Sequence, residues 1–201
     1  MLLIMLCVIL ALCLDKLVGE AERFHPLVGF GNFANYVEAK FNQGAQRKLK
    51  GLLALIVCIL PICGLGVLTL VWLHNDWLAE LVFSSFILYV CIGWRSLLEH
   101  GKAVALPLEK QDLAQAKVAV SYIVSRDCDE LNETDIAVAA TESVLENGAD
   151  AIFAAIFWFV IAGVPGVLCY RLANTLDAMW GYKNARFLSF GWAAARFDDA
   201  L

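Results

Sequence analysis

Two long apolar runs constrain this chain more than any other feature. They span residues 51–73 and 77–94, and only His74-Asn75-Asp76 separates them. A helix needs about 20 apolar residues to cross a bilayer, and both runs come close to that length. Tryptophan stands at both ends of the second run, where interfacial anchors are common. The pair therefore predicts two transmembrane helices joined by a tight turn.

Residues 1–18 predict a further transmembrane helix. A secretory signal is the competing interpretation, but this segment has no basic start and no small-residue cleavage site. Of the 201 residues, 61% are hydrophobic, against about 45–50% in a soluble domain. The fold class expected is therefore all-α, a polytopic helical membrane protein. The seven cysteines form no C-x-x-C pair, and a net charge of −5 argues against binding nucleic acid.

The basic residues indicate which polar segments are cytoplasmic. Residues 19–50 carry five of them: Arg23, Lys40, Arg47, Lys48 and Lys50. By the positive-inside rule this loop is cytoplasmic, and so is the polar segment 95–150. An amphipathic helical segment is expected there, with Pro107 in the first turn of one helix. Asn132, followed three residues later by Asp135, predicts the start of another helix that reaches about Glu146.

The apolar block after Asp150 is too short to cross a membrane. Residues 151–162 give about 18 Å of helix, whereas the hydrocarbon core is about 30 Å thick. The break Gly163-Val164-Pro165-Gly166 then separates this block from residues 167–179. A single crossing would put the cations that follow on the outer side, against the charge rule. We therefore expect residues 151–179 to form a re-entrant or interfacial helical hairpin that lines a cavity, and residues 180–201 to be cytoplasmic, with a helix over 187–199.

Three carboxylates share one face of the helix that precedes this hairpin. Glu142, Glu146 and Asp150 recur every four residues, roughly opposite the apolar face of the helix. Carboxylates so close together repel one another unless a cation such as Mg²⁺ lies between them. The alternative is a solvated acidic face, and spacing alone favours that alternative.

Further polar groups follow on the same predicted side. The candidates are Asn147, Arg171, Asn174, Asp177, Lys183, Asn184, Arg186 and Arg196. Carboxylates bind Mg²⁺ and amines, whereas arginine and lysine bind phosphates and carboxylates. This mixture favours phosphoryl or acyl chemistry over hydride transfer or nucleophilic hydrolysis. The chain contains no G-x-S-x-G, H-E-x-x-H, G-x-G-x-x-G or P-loop motif.

Several blocks of sequence resemble one known family. They are Glu142-Ser143-x-x-Glu146-Asn147-x-x-Asp150, Tyr170-Arg171-x-x-Asn174-Thr175-Leu176-Asp177-x-Met179-x-Gly181-Tyr182, Phe190-Gly191-Trp192-Ala193-Ala194-Ala195-Arg196-x-Asp198-Asp199, Arg95-Ser96-Leu97-x-x-His100 and Asp15…Gly19-Glu20…His25-Pro26. Together with Gly163-Val164-Pro165-Gly166 they are similar to the CbiB/CobD family of cobalamin-biosynthesis membrane proteins, the adenosylcobinamide-phosphate synthases. The resemblance covers essentially the whole chain. That family continues past Asp199 with further membrane segments, so we expect this chain to be a fragment.

The resemblance implies ATP-dependent formation of an amide bond. Adenosylcobyric acid, a corrinoid, would be joined through a propionate to aminopropanol or its phosphate, with ATP and Mg²⁺, on the cytoplasmic side of a bacterial inner membrane. It also allows a complex with other membrane enzymes of cobalamin assembly. The catalytic candidates are then Glu142, Glu146, Asp150, Asp177 and His25, the first three of them also Mg²⁺ ligands. The substrate-binding candidates are Asn147, Arg171, Asn174, Lys183, Asn184, Arg186 and Arg196.

Two other classes of protein compete with this interpretation. One is a non-enzymatic membrane sensor or regulator of the AmpE type, which is also polytopic with a cytoplasmic polar segment. The Asn174-Thr175-Leu176-Asp177 block argues against it. The other is a transporter, whose ionisable groups should lie in mid-span. The runs 51–73 and 77–94 carry only Glu80, near an end.

Overall fold

The structure, a computed structural model, describes residues 1–19, 25–124 and 126–201, and this part of the chain contains helices and no strand. The α-helices are α1 (Leu2–Val18), α2 (Pro26–Phe41), α3 (Arg47–Leu73), α4 (Trp77–Cys91), α5 (Trp94–Glu109), α6 (Leu113–Ser121), α7 (Glu133–Gly148), α8 (Ala155–Trp180) and α9 (Trp192–Asp198). A π-helical segment, Ala149–Ala154, joins α7 to α8. The all-α prediction is confirmed. Glu20, part of the N-terminal pattern, lies outside the described residues.

Three helical stretches are long and apolar enough to cross a membrane: Arg47–Leu73, Trp77–Glu109 and Glu133–Trp180. The predicted turn at 74–76 is present, and the Asp76 carboxylate caps α4 by accepting the Leu78 and Ala79 N–H groups, both at 3.1 Å. The helix expected over residues 1–18 is present as α1, which has 17 residues. That α1 crosses the bilayer stays a prediction.

α8 reverses direction at Gly163. Its φ of 63° and ψ of −149° lie in a region that is essentially restricted to glycine. Residues 155–162 and 164–180 therefore run antiparallel, and we call them the α8 hairpin. A Cβ atom at Gly166 would lie 2.4 Å from the Trp158 carbonyl oxygen, which shows how closely the two limbs meet. At the open base, the Tyr170 hydroxyl donates to the Asp150 carbonyl at 3.0 Å.

The tip of the α8 hairpin stops beside the middle of α3. The Cys63 thiol lies 3.9 Å from the Pro165 carbonyl oxygen. α3 continues from Cys63 to Leu73, about 15 Å further. At its other end, the Arg47 guanidinium donates to the Ala185 carbonyl at 3.4 Å, so α3 starts level with the chain that follows the hairpin. The predicted helical hairpin is therefore present. That it is re-entrant or interfacial, and the side of the membrane from which it enters, stay predictions.

The described residues pack into three apolar cores. The first joins α2, α3, residues 164–180 and α9, and includes Leu55 and Trp180. The second joins α1, α4 and both limbs of the α8 hairpin, and includes Leu88 and Phe159. The third is formed by α5, α6, α7 and the loop before α7, and centres on Val104, Val120 and Ile136. The predicted amphipathic segment is therefore a compact group of helices with a core of its own.

Hydrogen bonds tie this helical group to the base of the α8 hairpin. The Arg95 backbone N–H donates to the buried Asp15 carboxylate at 2.8 Å, which joins α5 to the end of α1. The Gly93 N–H donates to the Ala151 carbonyl at 3.3 Å, which joins the start of α5 to the hairpin base. The polar residues of α5, α7 and α8 therefore meet at one level of the molecule.

Three local expectations were wrong. The segment 19–50, expected as a loop, contains α2, in which His25 caps the helix by accepting the Leu27 N–H at 3.3 Å. Pro107 lies in the last turn of α5 rather than a first turn, and it is buried there. α9 begins only at Trp192 and not at residue 187, because the chain first turns against the end of α8. A Cβ atom at Gly191 would lie 1.7 Å from the Trp180 carbonyl oxygen.

Candidate functional site

A polar groove of about 510 Å³ lies along α7 and the π-helical segment. Glu142, Glu146 and Asp150 all line it, so the helical spacing does bring the three predicted carboxylates to one surface. Asn147 lines it as well, and its amide donates to the Ser143 carbonyl at 2.8 Å and the Ser143 hydroxyl at 3.1 Å. We call this surface the acidic groove. All three carboxylates are exposed, so a role for them in binding Mg²⁺ or substrate stays a prediction.

A second polar cavity, of about 290 Å³, adjoins the acidic groove. Ser143 and Asn147 line both, so the two are neighbours on either side of these side chains. Ser96 and His100 from α5 face Arg171 from α8 across this inner polar cavity. The Nε atom of Arg171 is buried without a hydrogen-bond partner among the described residues. A guanidinium with an unpartnered buried N–H is suited to an incoming anion.

A third polar cavity, of about 310 Å³, lies where α8, the 181–191 turn and α9 meet. It combines two carboxylates and two cations: Asp177, Asp199, Lys183 and Arg196. Arg196 and Asp199 pair at 3.3 Å, but both side chains are largely exposed, so this pair contributes little stability. We call it the loop cavity. It holds both signs of charge, as the binding of a zwitterion requires.

Asp198, at the end of α9, interacts electrostatically with carboxylates of both the acidic groove and the loop cavity. Burial raises the pKa of this carboxyl from 3.8 to about 6, and the negative charges of Asp177, Asp150 and Asp199 add to the rise. The Asn174 amide partly offsets it by hydrogen bonding. The charges of Asp150, from the groove, and Asp177, from the loop cavity, therefore act on one carboxyl. The two polar surfaces are electrostatically connected.

The acidic groove fits Mg²⁺ only in part. Among the described residues, no group of three or more His, Cys, Asp or Glu side chains is arranged to hold a metal ion. Mg²⁺ in phosphoryl-transfer sites is commonly bound through one or two carboxylates, with water and substrate phosphates completing the octahedron. The three groove carboxylates fit that mode of binding. They do not form a closed, all-protein cage.

Three predicted site residues lie elsewhere. His25 caps α2 and lines none of these polar cavities. The Asn184 side chain accepts the N–H groups of Arg186 and Phe187, both at 3.0 Å, which shapes the turn. Arg186 forms two bonds, of 3.1 and 2.6 Å, with the buried carboxylate of Glu38. The structure does not place these three residues beside the carboxylates of the acidic groove. A binding role for Arg186 stays a prediction that must accommodate its pairing with Glu38.

Comparison with known protein families shows to which family this chain belongs. The family model described as CobD/Cbib protein matches residues 8–201. This chain belongs to the CobD/Cbib family. The resemblance inferred from the sequence blocks is therefore confirmed.

Relatives within the CobD/Cbib family are similar over nearly the whole chain. A cobalamin biosynthesis protein CobD from Stutzerimonas stutzeri is 53% identical over 98% of the chain. Proteins of the same name from Chromobacterium violaceum and Halalkalibacterium halodurans are 48% and 40% identical, over 96% and 98% of it. The chain spans 65%, 62% and 62% of the lengths of these three relatives. No solved structure gives a significant match.

Some residues of this CobD/Cbib-family site were not among the candidates. Arg126 lines the acidic groove and reaches Glu142 at 3.9 Å. Ser96 and His100 lie one turn apart on α5, and His100 Nδ1 is 2.7 Å from the Ser96 carbonyl oxygen. The block Arg95-Ser96-Leu97-x-x-His100 was the available signal for this pair. Nothing in the local sequence marked Arg126, because the loop that holds it has no regular pattern.

Proposed function

We propose that this chain provides the site of an adenosylcobinamide-phosphate synthase-like ligase of cobalamin biosynthesis. It would join a propionate carboxylate of adenosylcobyric acid to the amine of aminopropanol or its phosphate, with ATP. The family membership and the names of the relatives support the pathway. One observation supports the chemistry: the acidic groove and the loop cavity, which holds both signs of charge, each contribute a carboxylate, Asp150 and Asp177, whose charge acts on Asp198.

The proposal assigns a substrate to each cavity. Aminopropanol phosphate carries an ammonium and a phosphate, which match the carboxylates and cations of the loop cavity, Asp177 with Lys183 and Arg196. The phosphates of ATP would lie along the acidic groove, where Glu142, Glu146 and Asp150 would share Mg²⁺ with them. When bound, Mg²⁺ would neutralise phosphate charge.

The reaction needs two steps because a carboxylate has no leaving group. The propionate oxygen first attacks the γ-phosphorus of ATP, which gives an acyl phosphate and releases ADP. The amine nitrogen then attacks the acyl carbon, the amide C–N bond forms and inorganic phosphate leaves. In this scheme the terminal N–H groups of Arg171, which lines the inner polar cavity, would hold an oxygen of the acyl phosphate.

The second step also needs a base for the proton of the attacking amine. A base works best when its pKa is near the working pH. Asp198, whose pKa is raised to about 6, meets this condition better than a fully solvated carboxylate. Asn174 would orient it. This assignment replaces His25, which caps α2 away from the polar cavities.

Complementation of a bacterial strain blocked at cobinamide formation tests the proposal. The chain and a version extended to the length of the relatives are expressed in parallel, because the chain spans less than two thirds of those relatives. Restored cobinamide phosphate, dependent on ATP in isolated membranes, is expected from the extended version. Membranes that contain the folded protein and still give no ATP-dependent product would contradict the ligase assignment.

A further inference from the structure

An apolar cavity of about 550 Å³ opens on the opposite side of Arg171 from the inner polar cavity. Its walls come from α2, α3, α4 and residues 164–180. Among the described residues that line it, Arg171 is the only charged one. One arginine therefore lies at the junction of a polar and an apolar cavity. Such a site fits an amphipathic ligand with an anionic head and an apolar tail.

The cavity opens towards the apolar outer surface of the molecule. Three of its lining side chains, Phe33, Val57 and Phe86, are 41%, 40% and 50% exposed. They belong to α2, α3 and α4, two of which are in stretches that are able to cross a membrane. Val28 and Tyr36 of α2 are exposed as well. With α3 and α4 across the bilayer, as expected, a ligand would enter this cavity from the hydrocarbon.

The position of the charge matches the depth of a phospholipid phosphate. Arg171 follows Tyr170, which bonds to the Asp150 carbonyl at the hairpin base, level with the end of α4. From there the cavity extends to Pro61 and Ile62, near the middle of α3 and beside the hairpin tip. Polar head and apolar tail would thus lie at the depths that a lipid leaflet requires.

We propose that this cavity binds one acyl chain of an anionic glycerophospholipid, whose phosphate contacts Arg171. The inference does not depend on the proposed function and stands if that function is wrong. The lipid would fill the space that α2, α3, α4 and the α8 hairpin leave between them. It would also give the buried Nε atom of Arg171 an acceptor.

Glycine substitutions provide a matched test. Gly29 lines the cavity, and a Cβ atom at this position would meet no atom within 4 Å, so Gly29→Leu introduces a side chain at the cavity wall with no clash at Cβ. Gly64 on α3 is equally open but does not line the cavity, so Gly64→Leu is the control. Val57→Trp, on the opposite wall, is a second blocking variant in case Gly29→Leu fails to fold.

The experiment uses the purified protein in vesicles of phosphatidylcholine and phosphatidylglycerol. A phosphatidylglycerol with a photoactivatable group on one acyl chain is cross-linked, and the labelled peptides are identified. Label is expected on α2 and α3 of the unaltered protein. In Gly29→Leu or Val57→Trp the yield should fall about tenfold, equivalent to about 1.4 kcal/mol, and in Gly64→Leu it should not change.

Two further probes identify the head group. A diacylglycerol with the same photoactivatable chain should label the unaltered protein less than phosphatidylglycerol does, and Arg171→Gln should abolish that difference. Glycerol 3-phosphate, which has the head without the tail, should not compete. The proposal is overturned if both blocking variants label as strongly as the unaltered protein, or if glycerol 3-phosphate competes as well as the lipid does.

Discussion

Asp198 shows how burial sets the chemistry of a single side chain. Its carboxyl is surrounded by three other carboxylates and is partly removed from water, and both effects disfavour its charged form. The sequence placed Asp198 among several acidic residues but gave no reason to single it out. Only the packing of α9 against the end of α8 shows that this aspartate differs from Asp199 beside it.

Titration of Asp198 should contribute to the pH dependence of the protein's stability. Its folded-state pKa is raised, so the folded state binds a proton more tightly than the unfolded state does. The stabilisation of the protonated form is complete below the ordinary value of 3.8 and is lost as the pH rises through about 6. Asp198→Asn should flatten this change in thermal stability measured between those two pH values. Asp129→Asn, in an exposed loop, is the control and should leave the curve unchanged.

Glu146→Gln tests the acidic groove. This substitution keeps the shape of the side chain and removes its charge. In the extended protein we expect cobinamide-phosphate formation to fall about a hundredfold or more, while the protein level in the membrane stays normal. Glu109→Gln, at the exposed end of α5, is the matched control. Equal turnover in the two variants would show that Glu142, Glu146 and Asp150 form a solvated acidic surface without a catalytic role.

Among the helices, those that are long and have a regular apolar pattern were predicted from the sequence. The shortness of residues 151–162 and the Gly163–Gly166 break predicted a helical hairpin, and the reversal at Gly163 agrees with it, whereas its re-entrant placement stays a prediction. α2 was missed because Gly29, Gly31 and two asparagines interrupt its apolar pattern, and its stability comes from packing on α3 and α8. Pro107 was misplaced because its burial in the last turn of α5 outweighs the backbone hydrogen bond that proline cannot make.

Gly163→Ala should destabilise the α8 hairpin. The backbone at residue 163 lies where a side chain costs about 1–3 kcal/mol. Thermal unfolding in detergent should show a loss of stability of that size. Gly64→Ala, in the regular helix α3 with open space around it, should be neutral or slightly stabilising. An equally stable Gly163→Ala protein would mean that the chain does not reverse at this residue.

The Glu38–Arg186 pair connects α2 to the turn after α8. The guanidinium of Arg186, through its hydrogen bonds, lowers the pKa of the buried Glu38 carboxyl. The pair therefore stabilises the fold above the ordinary pKa of glutamate, and this is lost as the pH falls through the lowered value. Arg186→Lys keeps the charge but not the two parallel bonds. We expect a lower melting temperature at pH 7, whereas Arg47→Lys, which loses one long bond, should melt normally.

Arg186→Lys also separates a structural role from a binding role. If Arg186 serves only to fix the turn, the apparent KM for each substrate stays unchanged in the folded fraction of the variant. A raised KM for the phosphorylated substrate alone would instead support the predicted phosphate contact. Both constants are measured in the extended protein at a temperature below the melting range.

At the scale of the whole molecule, the expected topology puts all polar cavities on one side of the membrane. The accessibility of single introduced cysteines tests this topology in a variant whose native cysteines have been substituted. A cysteine at Lys183, in the loop cavity, should react with an impermeant reagent only after the membrane is opened. A cysteine at Asn75, in the α3–α4 turn, should react in intact cells. Labelling of the Lys183 position from outside would contradict the re-entrant hairpin.

The three cores differ in when they become available to a growing chain. The core of α5, α6 and α7 draws only on residues 104–140, so it is complete once that stretch has left the ribosome. The other two combine helices from the first half with residues 155–194, so α1–α4 are synthesised with unmatched inner faces. The α8 hairpin and α9 are synthesised after them and supply the missing faces. Biogenesis should therefore pass through an open four-helix stage that the later residues close, and protection of that stage by insertion factors should end when residue 194 is made.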